Sequence, residues 1–524
     1  MKKIFIFAAL SVAAMQLRAQ DAVNLDTYIG AQLATEDLNG TARYVGMGGA
    51  MEALGADIST IGTNPAGIGL FRHSQVSGSF GLVSQSDGKS FADGSKTNAS
   101  FDQMGFVIAT RTGVSDFINF GFNFHKSRNF NHVLSAAANA INGSSQNRQT
   151  YIKGLNDQLL GRYSVSVVDE LCLRMMENGV DPKTGDPNYT YIDAQDYMFN
   201  RAQTGYIGEY DFNLSGNINN RFYWGLTVGV KGVHYNSYTE YEETLVPSDP
   251  ASDPEVNYVK MTDSHKITGT GFNIKAGIIG RPIEESPFRL GVSVSSPTFY
   301  KLTTENISSL NDQYGMVMEM SDKADFRFNT PWVFGFSAGH IIDNCLALGL
   351  SYEYADYSTN DMRTITSSGY NWYGDYYDKS DSDPIMKNHT QRTLKGVSTI
   401  KAGAEYMIDK NISVRVGYNY VSPMYKDNGV RDMTLDSPGV MMASTTDYTN
   451  WKSTNRITAG ASFTFDQFRI DLAYQYQMRN GDFYPYMNHF QNMNQDYEPK
   501  SNDCNAVTVK DNRHQLLCTL SYTF

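Results

Sequence analysis

From about residue 74 to the last residue, apolar and polar side chains alternate along the chain with a period of two. The clearest stretch is 469–476, where Ile470, Leu472, Tyr474 and Tyr476 fall on one face. Arg469, Asp471, Ala473 and Gln475 fall on the other. Successive side chains of a β-strand point to opposite sides, so this period predicts strands with one face in an apolar medium and one against water or protein. The same pattern recurs in 119–124, 346–354 and 412–420, and at Leu516, Cys518, Leu520, Tyr522 and Phe524.

Such runs predict fourteen strands, near 74–84, 100–111, 117–126, 204–216, 222–237, 264–280, 288–299, 328–340, 345–357, 396–408, 411–421, 454–465, 467–478 and 512–524. The links between them alternate. Short turns fall at 112–116, 217–221, 281–287, 341–344, 409–410 and near Asp466. Long loops fall at 85–99, 127–203, 238–263, 300–327, 358–395, 422–453 and 479–511. Strict alternation of short and long links is the layout of an antiparallel transmembrane barrel of the bacterial outer membrane, with short periplasmic turns and long outer loops. An even strand count then puts both chain termini in the periplasm. Aromatics close the outward faces of upward strands (Tyr352 and Tyr354, Tyr418 and Tyr420, Tyr474 and Tyr476), as at a lipid–water boundary. Lys401, Glu405, Arg415, Arg469 and Asp471 take the opposite parity, where a lumen can pair them.

Composition agrees. The 524 residues include 34 Tyr, 28 Phe and 45 Gly, and beyond residue 20 there is no run of eighteen apolar residues, which excludes a helical inner-membrane protein. Residues 1–19 read as an export signal: Lys2 and Lys3, an apolar stretch from Ile4 to Met15, and a cleavage site after Ala19. The net charge of −12 argues against nucleic acid as a partner. Cys172, Cys345, Cys504 and Cys518 form no CxxC, and their spacing favours no pairing.

Residues 20–73 do not alternate. The stretch from Gly40 to Gly67 is rich in small residues, with glycines at 46, 48, 49, 55, 62 and 67 that allow close backbone approach, and a tight turn at Asn64-Pro65-Ala66-Gly67. Ala50 to Ala56 could form a short helix. Such a segment suits a compact plug within a lumen. It lacks GxGxxG and GK[ST], so a phosphate loop is a weak rival.

These residues carry a family resemblance. Gly46-Met47-Gly48-Gly49-Ala50, Ala56-Asp57 and above all Asn64-Pro65-Ala66-Gly67 resemble the plug motif of the FadL/TodX outer-membrane transporters for hydrophobic compounds. The segment 290–297, Thr330-Pro331 and the terminal Phe524 are similar too. The resemblance implies a fourteen-stranded barrel (74–524) with an N-terminal plug. It also implies passive uptake of fatty acids or aromatic hydrocarbons, an apolar lumen pocket and a sideways exit through a gap in the wall. Gly121 in the third strand is the candidate for that gap. The implied partners are a hydrophobic small molecule and outer-membrane lipid, for a monomeric protein with no cofactor.

Loop 127–203 departs from irregular structure. Val133–Ile141 is alanine-rich, and Tyr151, Leu155 and Leu159, then Val168, Leu171, Cys172, Met175 and Met176, follow helical spacing. Two or three short helices are expected there. Their bland role is to cap the barrel, and their functional role is an outer groove of Leu155, Leu159, Val168, Leu171, Met175 and Met176 that captures ligand. The nine His are dispersed, and neither GxSxG nor HExxH occurs, so no catalytic residue and no metal ligand set is assigned. The alternatives are a partner or shuttle in protein export, a haemin receptor and a barrel hydrolase. The first predicts a lumen pocket too closed or too polar for ligand.

Overall fold

The computed structural model describes residues 26–160, 166–180, 182, 187–247, 258–370, 372–374, 376–431, 446–487 and 491–524. The expected export signal lies outside them. Fourteen antiparallel strands close a ring: β1 Gln75–Gln85, β2 Thr97–Arg111, β3 Phe117–Asn129, β4 Ile192–Ile218, β5 Phe222–Pro247, β6 Tyr258–Gly280, β7 Arg289–Ser295, β8 Val333–Ile342, β9 Leu346–Asp356, β10 Gly396–Met407, β11 Ile412–Val421, β12 Tyr448–Phe465, β13 Phe468–Tyr484 and β14 Arg513–Thr523. Each pairs with the next, and β14 returns to β1 in an unbroken register from Gln75–Thr523 to Gln85–Arg513. Closure removes the sheet edges that would otherwise leave unpaired backbone in a membrane.

The two faces sort as the alternation requires. Phe80, Met104, Phe212, Leu350, Leu472 and Leu516 are exposed on the outside, whereas Gln103, Asn123, Glu209, Lys275, Arg415 and Asp471 are buried within. A ring of exposed Phe, Leu, Ile and Val on a closed barrel is a surface for hydrocarbon, since water would leave that area unfavourably solvated. No helix among the described residues is long and apolar enough to cross a membrane. The short links, with both β1's start and β14's end, lie at one end of the ring. Two of them turn on paired positive-φ residues, Asn219-Asn220 and Asp343-Asn344, residue types that tolerate the left-handed region.

At the other end the strands outgrow the belt. β4, β5 and β6 run for 27, 26 and 23 residues. The loops expected to be long hold three hairpins among the described residues: Phe299–Asp312 with Gly315–Asn329, Asp361–Tyr370 with Tyr376–Ser382, and the short Glu177–Val180 with Pro187–Tyr189. The alanine-rich run near Val133 is a strand, His132–Asn139, not a helix, because the overlong β4 offers it a ladder from Gln203 to Asp196. Tertiary pairing there outweighs a weak intrinsic preference. Five α-helices, α1 Thr27–Ala34, α2 Ala42–Gly46, α3 Gln146–Leu160, α4 Val167–Met176 and α5 Pro384–Thr393, and three 3-10 helices, Ile58–Gly62, Pro65–Leu70 and Tyr357–Thr359, complete the described fold. Helix α4 carries Asp169 and Glu170 in its first turn and Arg174 in its last, each placed to suit the helix dipole. Residues 50–56 form turns rather than the expected helix. The four cysteines are unbridged.

Candidate functional site

The site begins with how residues 26–71 meet the wall. Their bonds reach inward-facing side chains around the ring: Asn119 of β3 to the Ile68 carbonyl (2.6 Å), Thr227 of β5 to that of Ile61 (3.2 Å), and Thr458 of β12 to that of Gly46 (3.0 Å). The Ala42 amide donates to Thr519 of β14 (2.7 Å). The segment therefore lies inside the barrel.

Its closest approach is to a row of wall glycines. Gly339, Gly349, Gly403 and Gly417 stand directly opposite one another across β8 to β11. A Cβ on Gly349 would sit 1.9 Å from the Ala50 carbonyl oxygen, on Gly403 2.3 Å from that of Met47, and on Gly417 2.2 Å from the Gly48 amide nitrogen. The row is a groove without side chains, into which Met47–Ala50 presses its backbone. Gly48 completes the fit, because a Cβ there would meet the Tyr418 nitrogen at 2.7 Å. Elsewhere on the wall the Asn64–Gly67 turn presses the backbone of Pro65 and Ala66 against Gly225 and the Asn64 side chain against Gly277, two glycines that are also paired with each other. The Asn64 side chain accepts from the Ala66 amide at 3.2 Å, and Pro65 opens the 3-10 turn. Asp57 caps the preceding turn through the Ser59 amide and accepts from Thr41 at 2.9 Å.

Buried ion pairs tie the same segment down. Arg43 grips Glu405 with two nitrogens (3.0 and 2.8 Å), and Arg415 joins Glu405 to Asp471. Glu52 shares Lys401 with Glu353 (2.8 and 2.6 Å). The sequence-derived residues Gly46, Gly48, Gly49, Asp57, Asn64, Pro65, Ala66 and Gly67 thus all serve docking or turn geometry.

Above this docked part a cavity of about 330 Å³ opens between the segment, the wall and the cap. One side is apolar: Ile29, Leu33, Phe130, Tyr235 and Tyr300 line it, backed by Phe326, Phe328 and Met362. The other side is charged. Ten Lys or Arg and six Asp or Glu border the space, so it is not the wholly apolar pocket expected. His125, Glu209 and Asp211 form a cluster whose ligand atoms lie within 4.8 Å of one another. Lys275 Nζ stands 2.7 Å from Glu209 and 3.3 Å from Asp211, and Lys231 stands 3.4 Å from Glu209. Two ammonium groups already supply the cationic charge that a metal would bring, so the cluster is an ion-pair network.

The candidate groove residues are placed differently. Leu155, Val168, Leu171 and Met176 are buried and Met175 is half-buried. Leu171 packs with Ala194, Leu245, Val259 and Leu310 of the overlong strands and hairpin, and Met176 with Leu173, Tyr151 and Tyr189. They are the core of the cap rather than an open groove, because the hairpins cover the face that a loop alone would expose. Leu159 falls on α3, and its side chain lies outside the described residues. Gly121 stands in an unbroken ladder between Val107 and Asn213, where it makes room for Ile61 and Ile68 of the segment. The irregularities nearby are at Asp102 of β2 and Ser127 of β3.

Among solved structures, the chain is similar to a FadL homologue of Pseudomonas aeruginosa at 12% identity and a TM-score of 0.51, covering 94% of this chain and 100% of that one. It has the fold of the FadL-type barrels. The toluene transporters TbuX of Ralstonia pickettii (14% identity, 93% and 99% covered, TM-score 0.47) and TodX of Pseudomonas putida (12%, 93% and 99%, 0.48) are also similar. No family profile and no curated protein matches the sequence.

Proposed function

We propose that this chain is an outer-membrane channel for passive uptake of hydrophobic small molecules, with residues 26–73 as its plug. The observation that carries this reading is the cavity, partly walled by Phe130, Tyr235 and Tyr300, inside a barrel with a lipid-type outer belt. Its volume falls in the range of small-molecule pockets. A solute with apolar bulk is held back by the charged outer leaflet, and a barrel with a half-apolar interior gives it a path of lower cost. The shared fold with the FadL homologue of Pseudomonas aeruginosa agrees with the same reading. In this proposal both termini are periplasmic, the protein works as a monomer, and ligand leaves sideways near the irregular parts of β2 and β3 beside Asn39 and Asp37.

The test is uptake. Vesicles holding the purified barrel, with a fluorescent acceptor inside, should take up a labelled long-chain fatty acid or toluene several-fold faster than empty vesicles. A deletion strain should lose uptake that the gene restores. Equal rates with and without the protein for both solute classes refute the channel and leave a partner role in export.

A further inference from the structure

At one end of the cavity four guanidinium groups converge on two carboxylates. Arg128 binds Asp37 at 2.8 Å, and Arg456 stands 3.8 Å from the same carboxylate. Arg479 and Arg513 share Asp511, the latter at 2.6 Å. His132 stands 3.6 Å from Asp511, and burial pushes it down to about 4, so it is neutral at pH 7. Burial pushes the Asp37 carboxyl up, but Arg128, Arg513 and Arg456 outweigh it and leave it ionised. The cluster therefore carries two positive charges in excess. It does so inside a chain whose net charge is −12.

The excess is local. The other six cations of the cavity are matched: Arg201 with Asp447, Arg431 with Asp26, Lys231 and Lys275 with Glu209, Asp211 and Glu36, Lys401 with Glu52 and Glu353, and Lys452 with Asp482. The Nε atoms of Arg128 and Arg479 have no hydrogen-bond partner among the described residues. Like charges gathered away from water repel strongly unless an anion joins them. The Arg479 guanidinium carbon stands over the Trp451 ring, 4.2 Å from its centroid, a cation–π contact that helps hold its donors in place. All four arginines border the same cavity as Leu33, Phe130, Tyr235 and Tyr300.

We propose that this end of the cavity binds a doubly anionic oxyanion head group, a phosphate monoester, whose apolar tail lies along the Leu33–Phe130–Tyr300 wall. Guanidinium forks match phosphate oxygens in pairs, and two charges balance the cluster where a single carboxylate leaves one over. The inference rests on the channel reading and names the ligand class that enters it.

The experiment is calorimetric titration of the full-length protein in a non-ionic detergent with dodecyl phosphate, dodecanoate, dodecanol and inorganic phosphate. Dodecyl phosphate should bind at least tenfold tighter than dodecanoate, and dodecanol weakest. Inorganic phosphate should bind measurably but more weakly than dodecyl phosphate, showing that head and tail both contribute. R456Q and R513Q, checked for native barrel migration on gels, should each cut dodecyl phosphate affinity tenfold or more and leave dodecanol unchanged. Equal binding of the three dodecyl compounds to the wild type overturns the head-group proposal and leaves the channel reading intact. Tighter binding of inorganic phosphate than of dodecyl phosphate overturns the amphiphile. Absence of binding by every compound overturns both readings.

Discussion

Replacing Gly417 by alanine tests whether the N-terminal segment is wedged into the glycine row. The new methyl carbon would lie 2.2 Å from the Gly48 nitrogen and 2.4 Å from the Met47 carbonyl carbon, and both neighbours are backbone. Neither can swing aside as a side chain would. Ordinary contact needs more than about 1 Å of displacement, and overpacking of this kind costs roughly 1–3 kcal/mol. The strand cannot yield, because Gly417 is paired to Gly403 on one side and Thr458 on the other. The segment must therefore move, and two readouts follow. Denaturant unfolding in lipid vesicles should show a loss of about 2 kcal/mol, and planar-bilayer recordings should show conductance that the wild type lacks. G403A meets the same segment at the Met47 carbonyl, so one displacement relieves both clashes. The double variant should then cost less than the sum of the singles by about 0.5 kcal/mol or more. Gly280, with open space around its Cβ position, is the control, and G280A should change stability by less than about 0.5 kcal/mol. A G417A protein with wild-type stability and conductance, or strictly additive costs, refutes the wedge.

In the cap, burial pushes the Asp169 carboxyl up, but Lys153, the Ser166 amide and Thr150 more than offset it and hold it below the usual range, so D169N should destabilise α3 and α4 by about 3–5 kcal/mol. The Asp169 contribution to the cap's protease resistance, read as the difference between wild type and D169N, should accordingly be constant above about pH 4 and shrink only as the pH drops through the lower folded value. On the outer belt, L472R should cost roughly 2–4 kcal/mol in vesicle refolding, and equal stability to wild type would show that Leu472 does not face lipid. Amide exchange should divide the N-terminal segment, with Met47, Ile61 and Ile68 at least about tenfold slower than Thr35 and Glu36 beside the cavity, and uniform protection would contradict the division.

The strands were legible because a membrane barrel is written in side-chain parity. Ile470, Leu472 and Tyr474 face out and Arg469, Asp471 and Gln475 do not, and no tertiary detail is needed to see it. The small residues around Gly46–Gly67 were equally visible as a segment built for close approach. Their counterpart was not, although its letters were present: Gly349, Gly403 and Gly417 sit in separate strands, and only the register places them side by side. The cap escaped for a different reason. Alanines near Val133 read as helix until β4 proves long enough to pair with them, and Leu171 reads as an exposed stripe until β5, β6 and a hairpin cover it. The arginine cluster was hidden by distance in sequence, since Asp37, Arg128, Arg456, Arg479, Asp511 and Arg513 come from the N-terminal segment and four strands or their ends.

The placement of charge bears on how the segment works. Arg43 and Glu52 make their ion pairs within the docked half, at Glu405 and Lys401, where the glycine row already fixes the backbone. Such pairs add little flexibility to a place with none to spare, and breaking one strands a charge away from water. Asp37 is different. It holds Arg128 from the half that borders the cavity, next to an exposed Glu36 and a helix, α1, whose apolar residues Ile29 and Leu33 face open space. On the proposed reading an anion arriving at the arginines competes with Asp37 for Arg128, while Asp26 on Arg431, Glu36 on Lys231 and Thr27 on His389 still tie the cavity-facing half to the wall and cap. If the chain is the proposed channel, the docked half can stay in its groove while the cavity-facing half yields, a division of the segment that needs those remaining ties to break as well.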